Sequence, residues 1–261
     1  MDGIVDLERY PLDQPGSASW QRLVDVCRRR LAAEGVVNLP GFLCERARVA
    51  AVGELTPLLA GEAFRHARAH NIYFQDTIAG LHADHPALTR FETVNHTVCG
   101  DQMPGAIVVR LYEWPAFAHF LAAVMDKPAL YTMDDPLARV NVMGYGDGEA
   151  LNWHFDRAEF TTTLLLQSPL GGGHFEYAKD LRDDNEPNYD GVARLLGGRR
   201  APTRMPLAAG TLNIFRGKNT AHRVTPVEGA RRRIIAVFSY FDRPGVSFSA
   251  AERRGFYGRA E

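Results

Sequence analysis

His154 and Asp156 stand two residues apart in "LNWHFDRAEFTTTLLLQ", residues 151–167, and the run that follows them reads as a strand. In an extended chain residues i and i+2 share a face. An imidazole and a carboxylate set that way can grip one metal ion. His222 offers a third ligand 68 residues on (222 − 154), in "NTAHRVTPV", directly after the strand-like "GTLNIF". Two imidazoles and one carboxylate, with the opposite face of the metal open, form the ligand set of non-haem Fe(II) oxygenases. The mixed donors favour Fe(II), Mn(II) or Co(II) over Ca(II) or Mg(II), and donor type alone does not separate iron from zinc.

A lone H-x-D in a chain with nine histidines also reads as a strand histidine beside a solvated aspartate. A second feature weighs against that. "HRVTPVEGARRRIIAVFSYFD" places Arg231, Arg232 and Arg233 at the head of an apolar strand. An arginine entering such a strand needs an anion, and a planar guanidinium fits a carboxylate bidentately. A small dicarboxylate would then chelate the metal at one end and pair with arginine at the other.

These residues need a frame to hold them. From about residue 138 the chain becomes a series of short β-branched or aromatic runs: "LARVNVMGY", "LNWHF", "FTTTLLLQ", "GHFEYA", "GTLNIF", "HRVTPV" and "RRIIAVFSYF". Gly, Pro and Asp punctuate them, which predicts an antiparallel sandwich or barrel. An insertion at about 180–204 is polar and too long for a hairpin loop, and it predicts a lid over the site. The first half mixes helix and strand. "SASWQRLVDVCRRRLAAEG" predicts a helix capped by Ser17 or Ser19 and stopped by Gly35, with Trp20, Leu23, Val24, Cys27 and Leu31 on one face. "VVNLPGF" reads as a strand and turn, and "CERARVAAVGELTPLLAG" as a second helix. From His66 to Gln102 the pattern is weak and predicts loops and short pieces. "AIVVRLYEWPAFAHFLAAVMD" is helical in period but broken or kinked at Pro115. The expected organisation is one domain over 1–261, with residues 1–137 as helical and strand support and 138–242 as the barrel core.

Bulk composition narrows the class. With 30 basic and 31 acidic residues in 261, net charge is −1, which argues against a nucleic-acid or membrane partner. Cys27, Cys44 and Cys99 are odd in number and form no CxxC, as expected of reduced thiols in a cytoplasmic protein. "MDGIVDLERYPLDQPG" carries no apolar signal segment, and no apolar run is long enough to span a bilayer.

The order H-x-D, insertion, distal His in "HRVTPVEG", then Arg on the last strand resembles the Fe(II)/2-oxoglutarate-dependent oxygenases over roughly residues 138–242. "GVVNLPGFL" is also similar to that superfamily's entry segment. The resemblance implies a mainly β protein with flanking helices (α+β) around a double-stranded β-helix, the cupin-like jelly roll. It implies Fe(II) on His154, Asp156 and His222 as the catalytic centre, with 2-oxoglutarate and O2 as cosubstrates. Arg233 would hold the far carboxylate of 2-oxoglutarate. Arg231, on the same strand face, is the fallback, and Arg232 points outward. Tyr145 stands where the family often touches the cosubstrate, and reads equally as a core tyrosine.

Finer texture, "NWHFD…EF…LLLQ…GGGHFEY" with "NHTVCGDQ", resembles a lysine halogenase-like branch that oxidises aliphatic C–H bonds of free amino acids. That branch holds hydroxylases and halogenases. The halogenases carry a small residue in place of the carboxylate ligand, so Asp156 implies hydroxylation, with desaturation or ring closure also open. An amino-acid substrate needs a cation for its carboxylate, and Arg90 in "ALTRFETVNH" is the first candidate. His96 and Gln102 are candidate pocket polars, and Arg157 suits a negative distal group. Each also reads as a surface residue. His174 and Glu176 form a rival pair without a following cosubstrate anchor, and "GGG" at 171–173 reads as a strand turn, since no Lys-Ser/Thr follows it. Two rival functions remain. One is a jelly-roll metal-binding or sensor protein without turnover, which has no use for Arg233. The other is an oxygenase acting on a carrier-tethered or protein-bound residue, against which the near-zero charge leans.

Overall fold

Ser17 starts the first helix: its hydroxyl accepts the Trp20 N–H at 3.1 Å, and Gly35 ends the helix in the left-handed conformation (φ 75°). Between them α1 (Ala18–Glu34) turns Trp20, Val24, Cys27 and Leu31 inward and leaves Arg28, Arg29 and Arg30 in solvent. The computed structural model describes residues 1–261. After α1 come β1 (Val36–Leu39), α2 (Glu45–Gly61), β2 (Phe64–His70), β3 (Phe91–Cys99), α3 (Ile107–Tyr112), α4 (Pro115–Val124) and β4 (Tyr131–Thr132). Pro115 opens α4, where its missing N–H costs no helical bond. The second half runs β5 (Val140–Tyr145), β6 (Leu151–His154), β7 (Thr161–Gln167), β8 (Gly171–Gly172), β9 (Phe175–Ala178), α5 (Tyr189–Leu196), β10 (Thr203–Met205), β11 (Leu212–Phe215), β12 (Ala221–Val224), β13 (Val227–Glu228), β14 (Arg233–Phe238), β15 (Tyr240–Phe241) and α6 (Ala250–Tyr257).

Two antiparallel sheets make the jelly roll. One has the order β1-β11-β7-β14-β5-β3-β2 and the other β10-β9-β12-β6. Strand alternation explains how the N-terminal helices cover the outer face of the larger one. Leu164, Leu166, Leu212, Ile214, Ile234, Ala236 and Phe238 face outward into the main core with Leu31, Leu55, Phe117 and Phe120 of the helices. The intervening Tyr145, Leu165 and Ile235 face into the barrel. Val36 and Phe215 from the larger sheet meet Phe175 and Tyr177 from the smaller one across the interior.

Two expectations require correction. The segment 66–102 is not mainly loop: β2 and β3 pair over seven residues, Phe64↔Thr97 to His70↔Phe91. The period of two is present, but Thr93, Asn95 and Thr97 occupy its buried positions in place of apolar residues. Hydrogen bonds make that tolerable. Thr93 Oγ1 bonds His70 Nε2 (2.8 Å) and accepts the Asn152 N–H (3.0 Å), and Thr97 donates to Asn95 Oδ1 (2.8 Å). The 180–204 insertion is likewise not a free lid. Asn188 caps α5, Val192 and Leu195 bury against Trp153, Phe155 and Ile72, and Thr203–Met205 joins the smaller sheet through β9. Its spaced Val and Leu form a second core, so the insertion is a wall of the domain.

The C-terminal helix is fixed by one buried carboxylate. Asp135, 0% exposed, accepts from Arg253 Nε (2.8 Å) and from the N–H groups of Leu137 (2.9 Å), Ala138 (3.2 Å) and Phe248 (2.9 Å). Burial pushes this carboxyl up, but Arg253 and the three amides outweigh burial and hold it below its usual range. A depressed folded-state pKa contributes stability above the unfolded value, about 3.9, and that contribution is lost as pH falls through the folded value. Asp135→Asn is therefore expected to destabilise the protein by about 3 kcal/mol near neutrality. The difference from wild type should shrink toward pH 3, as chemical denaturation across pH would show. The three cysteines are free, and no helix is long and apolar enough to cross a membrane.

Candidate active site

β6 and β12 are neighbours in the smaller sheet, with His154 opposite His222. The two imidazoles lie 4.1 Å apart, centroid to centroid. Each is oriented by a backbone carbonyl: His154 Nδ1 sits 2.8 Å from Asn152 O, and His222 Nδ1 sits 2.9 Å from Thr220 O. A carbonyl only accepts, so Nδ1 carries the proton and each Nε2 presents a lone pair. Asp156 lies just past the end of β6, where its N–H donates to Gly217 O (3.0 Å). Its Oδ1 is 3.3 Å from His154 Nε2 and its Oδ2 is 3.5 Å from His222 Nε2. The three donor atoms cluster, and the two Asp156–histidine spacings are ones that a single ion bonded at about 2.0–2.2 Å can bridge. The imidazoles are buried, and the Asp156 side chain is 21% exposed, so the cluster opens to one side.

Electrostatics favour the same use. Burial raises the Asp156 carboxyl, yet the two histidines outweigh burial and hold it well below its usual range. Burial and the neighbouring His222 lower His154, whereas Asp156 outweighs burial and raises His222.

Two residues without any motif signature shape the carboxylate. Thr161 Oγ1 donates to Asp156 Oδ2 at 2.5 Å from the first position of β7. Gly217 lets Asp156 come close, since a Cβ there would fall 2.8 Å from both Cβ and Cγ of Asp156. Gly217→Ala is expected to displace the carboxylate and weaken Fe(II) binding by about ten- to hundredfold with the fold retained. Anaerobic titration of the apo-protein measures this, and wild-type affinity would show that Asp156 accommodates the methyl.

Arg233 opens β14 directly opposite Tyr145, is 2% exposed, and has its Cζ 5.7 Å from the Tyr145 ring centroid. Its Nη1 is buried with no hydrogen-bond partner. Burial lowers its basicity, and no carboxylate compensates. A buried guanidinium in that state calls for an anion. Leu165, Val227 and Ile235 share a small apolar cluster with Tyr145. The glycine run makes room for the arginine stem: a Cβ on Gly173 (φ 60°) would lie 3.2 Å from Arg233 Cδ. The imidazole and carboxylate donors fit Fe(II), and the orphaned guanidinium fits the far carboxylate of 2-oxoglutarate.

Other candidates are placed elsewhere. Arg231 is exposed, precedes β14 and donates to Pro169 O (3.0 Å), so it is no fallback for Arg233. Arg232 reaches the helix side, bonding Leu59 O (3.0 Å), as expected. His96 pairs in register with Gly144, so it lies on the opposite face of the sheet from Tyr145, with its Nε2 3.0 Å from Glu149. Arg90 is exposed and engaged by Asp76 (2.7 Å) and Ala69 O (3.1 Å). Arg157 is exposed and pairs with Glu252 of α6 (3.1 Å). Gln102 donates to Glu62 O and closes a 3₁₀ turn after β3. His174 is exposed, and Glu176 is bound by Arg204 and Arg223, so these two make no metal site.

Comparisons with known proteins agree with this geometry. The family model for halogenase D matches residues 19–251. No curated protein matches the sequence. Among solved structures, the chain is similar to the carbocyclase SnoK from nogalamycin biosynthesis, described as non-heme and alpha-ketoglutarate-dependent, at TM-score 0.60 and 14% identity over 91% of this chain and 93% of that one. It is similar to an oxidoreductase of the 2OG-Fe(II) oxygenase family from Burkholderia pseudomallei at TM-score 0.53 and 16% identity, covering 89% and 94%. It is similar to a prolyl-4-hydroxylase from Pseudomonas putida at TM-score 0.53 and 16% identity, covering 85% and 100%. At such identities these likenesses describe the fold, while the family match spans most of the sequence. The chain belongs to the halogenase D family, built on the fold of the 2OG-Fe(II) oxygenases, with His154, Asp156 and His222 grouped as a candidate metal site.

Proposed function

We propose that the protein hydroxylates an unactivated carbon of a small molecule, a free amino acid or a close derivative, using Fe(II), 2-oxoglutarate and O2. The observation that carries hydroxylation over halogenation is Asp156. The halogenases that this chain resembles have a small residue there, whereas Asp156 is present, held by Thr161 and fitted against Gly217. The amino-acid reading rests on the sequence texture around "NWHFD" and "NHTVCGDQ".

Each group has a task. His154, His222 and Asp156 hold the metal through two Nε2 atoms and one carboxylate. Asn152 O and Thr220 O keep both imidazoles in the donating tautomer. Arg233 seats the far carboxylate of the cosubstrate beside Tyr145, whose hydroxyl is pushed up to about 12 by burial and stays protonated. Leu165, Val227 and Ile235 exclude water around that pair. The bound iron, cosubstrate and oxygen supply the oxidising power, and the protein supplies position and exclusion of water.

The test is an anaerobic titration of apo-protein with Fe(II) and 2-oxoglutarate, watching for the visible charge-transfer band. A screen of free amino acids for coupled succinate release, with chloride present, follows. A hydroxylated product carries the reading. A chlorinated product, or iron binding without the band, sinks it.

A further inference from the structure

We propose that Arg182, in the segment between β9 and α5, is the anchor for a carboxylate on the substrate. The inference rests on the oxygenase reading above and names the group that the substrate must present.

The Arg182 side chain packs on the two segments that flank Asp156, within reach of that carboxylate's field. Its Cζ stands 4.0 Å from the Phe155 ring centroid, the closest cation–ring approach in the chain. Phe155 is the residue between His154 and Asp156. Its Nε donates to Lys218 O at 2.8 Å, and Lys218 follows Gly217, the residue against which Asp156 rests. The guanidinium is thus fixed to both segments that frame Asp156. Stacking and one hydrogen bond remove much of the rotamer freedom that a flexible anchor would lose on binding.

The charge is nevertheless uncompensated. Arg182 is half-buried, and no carboxylate stands within ion-pair distance of it. Asp184, two residues on, pairs with Lys218 (2.6 Å) instead. Burial lowers the basicity of Arg182, and the fields of Tyr73, Asp184 and Asp156 only partly offset it. The arginines considered for a substrate are already satisfied, Arg157 by Glu252 and Arg90 by Asp76, and so is Arg223 beside His222, by Glu176. Arg233 is deeper, in the barrel interior beside Tyr145. Nη1 and Nη2 of Arg182 make no hydrogen bond within the protein, which leaves the paired N–H edge that receives a carboxylate bidentately.

The experiment uses the full protein with Fe(II) and 2-oxoglutarate, anaerobically. The twenty common free L-amino acids are the probes, together with the carboxamide of each one that shifts the visible band. We expect at least one free amino acid to shift the band and its carboxamide to bind about thirtyfold more weakly or not at all. Arg182→Met should show the same loss for the free amino acid with Fe(II) and 2-oxoglutarate affinities unchanged, and Arg182→Lys should recover part of it. Equal binding of acid and carboxamide overturns the proposal. So does wild-type amino-acid affinity in Arg182→Met, or a panel in which no free amino acid moves the wild-type band. If Arg182→Met instead loses iron affinity, Arg182 braces the Asp156 turn and is not an anchor. Failure of the oxygenase reading itself looks different, since the wild-type protein would then show no band before any amino acid is added.

Discussion

Asp156→Ala is expected to leave a folded protein that holds iron at least about a hundredfold more weakly and does not hydroxylate. The carboxylate supplies the only anionic ligand, and without it two neutral imidazoles remain on β6 and β12. The third position would then fall to water or chloride, which hold iron more weakly than a carboxylate fixed by the chain. The cost to the fold should be small. A buried carboxylate is expensive to desolvate, and Asp156 spends its contacts on the metal-binding histidines, Thr161 and the Gly217 carbonyl. Its backbone bond to Gly217 survives the substitution. Anaerobic Fe(II) titration and a thermal melt of the same sample separate the two effects. Normal hydroxylation by Asp156→Ala would mean that the ligand assignment is wrong.

The second large effect belongs to Arg233. Arg233→Ala should weaken 2-oxoglutarate binding by about a hundredfold or more, because the far carboxylate would then be buried without a counter-ion at a cost of about 3–5 kcal/mol. Fe(II) affinity should not change, since Arg233 donates to no metal ligand. The visible band at fixed 2-oxoglutarate is the readout, and excess 2-oxoglutarate should restore it. Arg233→Lys should fall between, as a point charge replaces a planar fork. A jelly-roll sensor that binds metal without a cosubstrate would show no difference between wild type and Arg233→Ala. The orphaned Nη1 of Arg233 is what sets the two cases apart.

The family match gives Asp156 additional interest. Halogenase D names the family, yet this chain carries a carboxylate at the position where the resembling halogenases have a small residue. Gly217 and Thr161 are matched to that carboxylate, one by steric room and one by a donor. Two residues from separate segments are fitted to the same ligand.

The sequence by itself determined most of the elements, because they follow local rules, and it offered the candidate metal ligands as a pattern that a family resemblance completed. Capping by Ser17 and Gly35, the break at Pro115 and the alternation in β7 and β14 are set by neighbours a few residues away. His154 and Asp156 were legible for the same reason, and His222 and Arg233 because each attaches to a recognisable strand. β3 is not legible in the sequence, because its inward positions are Thr93, Asn95 and Thr97, and the partners of Thr93, His70 and Asn152, lie on other elements.

Tertiary structure alone decided which polar side chains are free. Arg157 meets Glu252 from 95 residues away, and Arg90 is drawn to Asp76 across the turn before β3. His96 fell on the wrong face because register, not composition, sets the facing of a strand. Thr161, Gly217 and Arg182 carry no motif, and they matter only because the fold brings them to the His154–Asp156 turn. A residue's type fixes what bond it can make. Only the packed chain fixes which partner reaches it first.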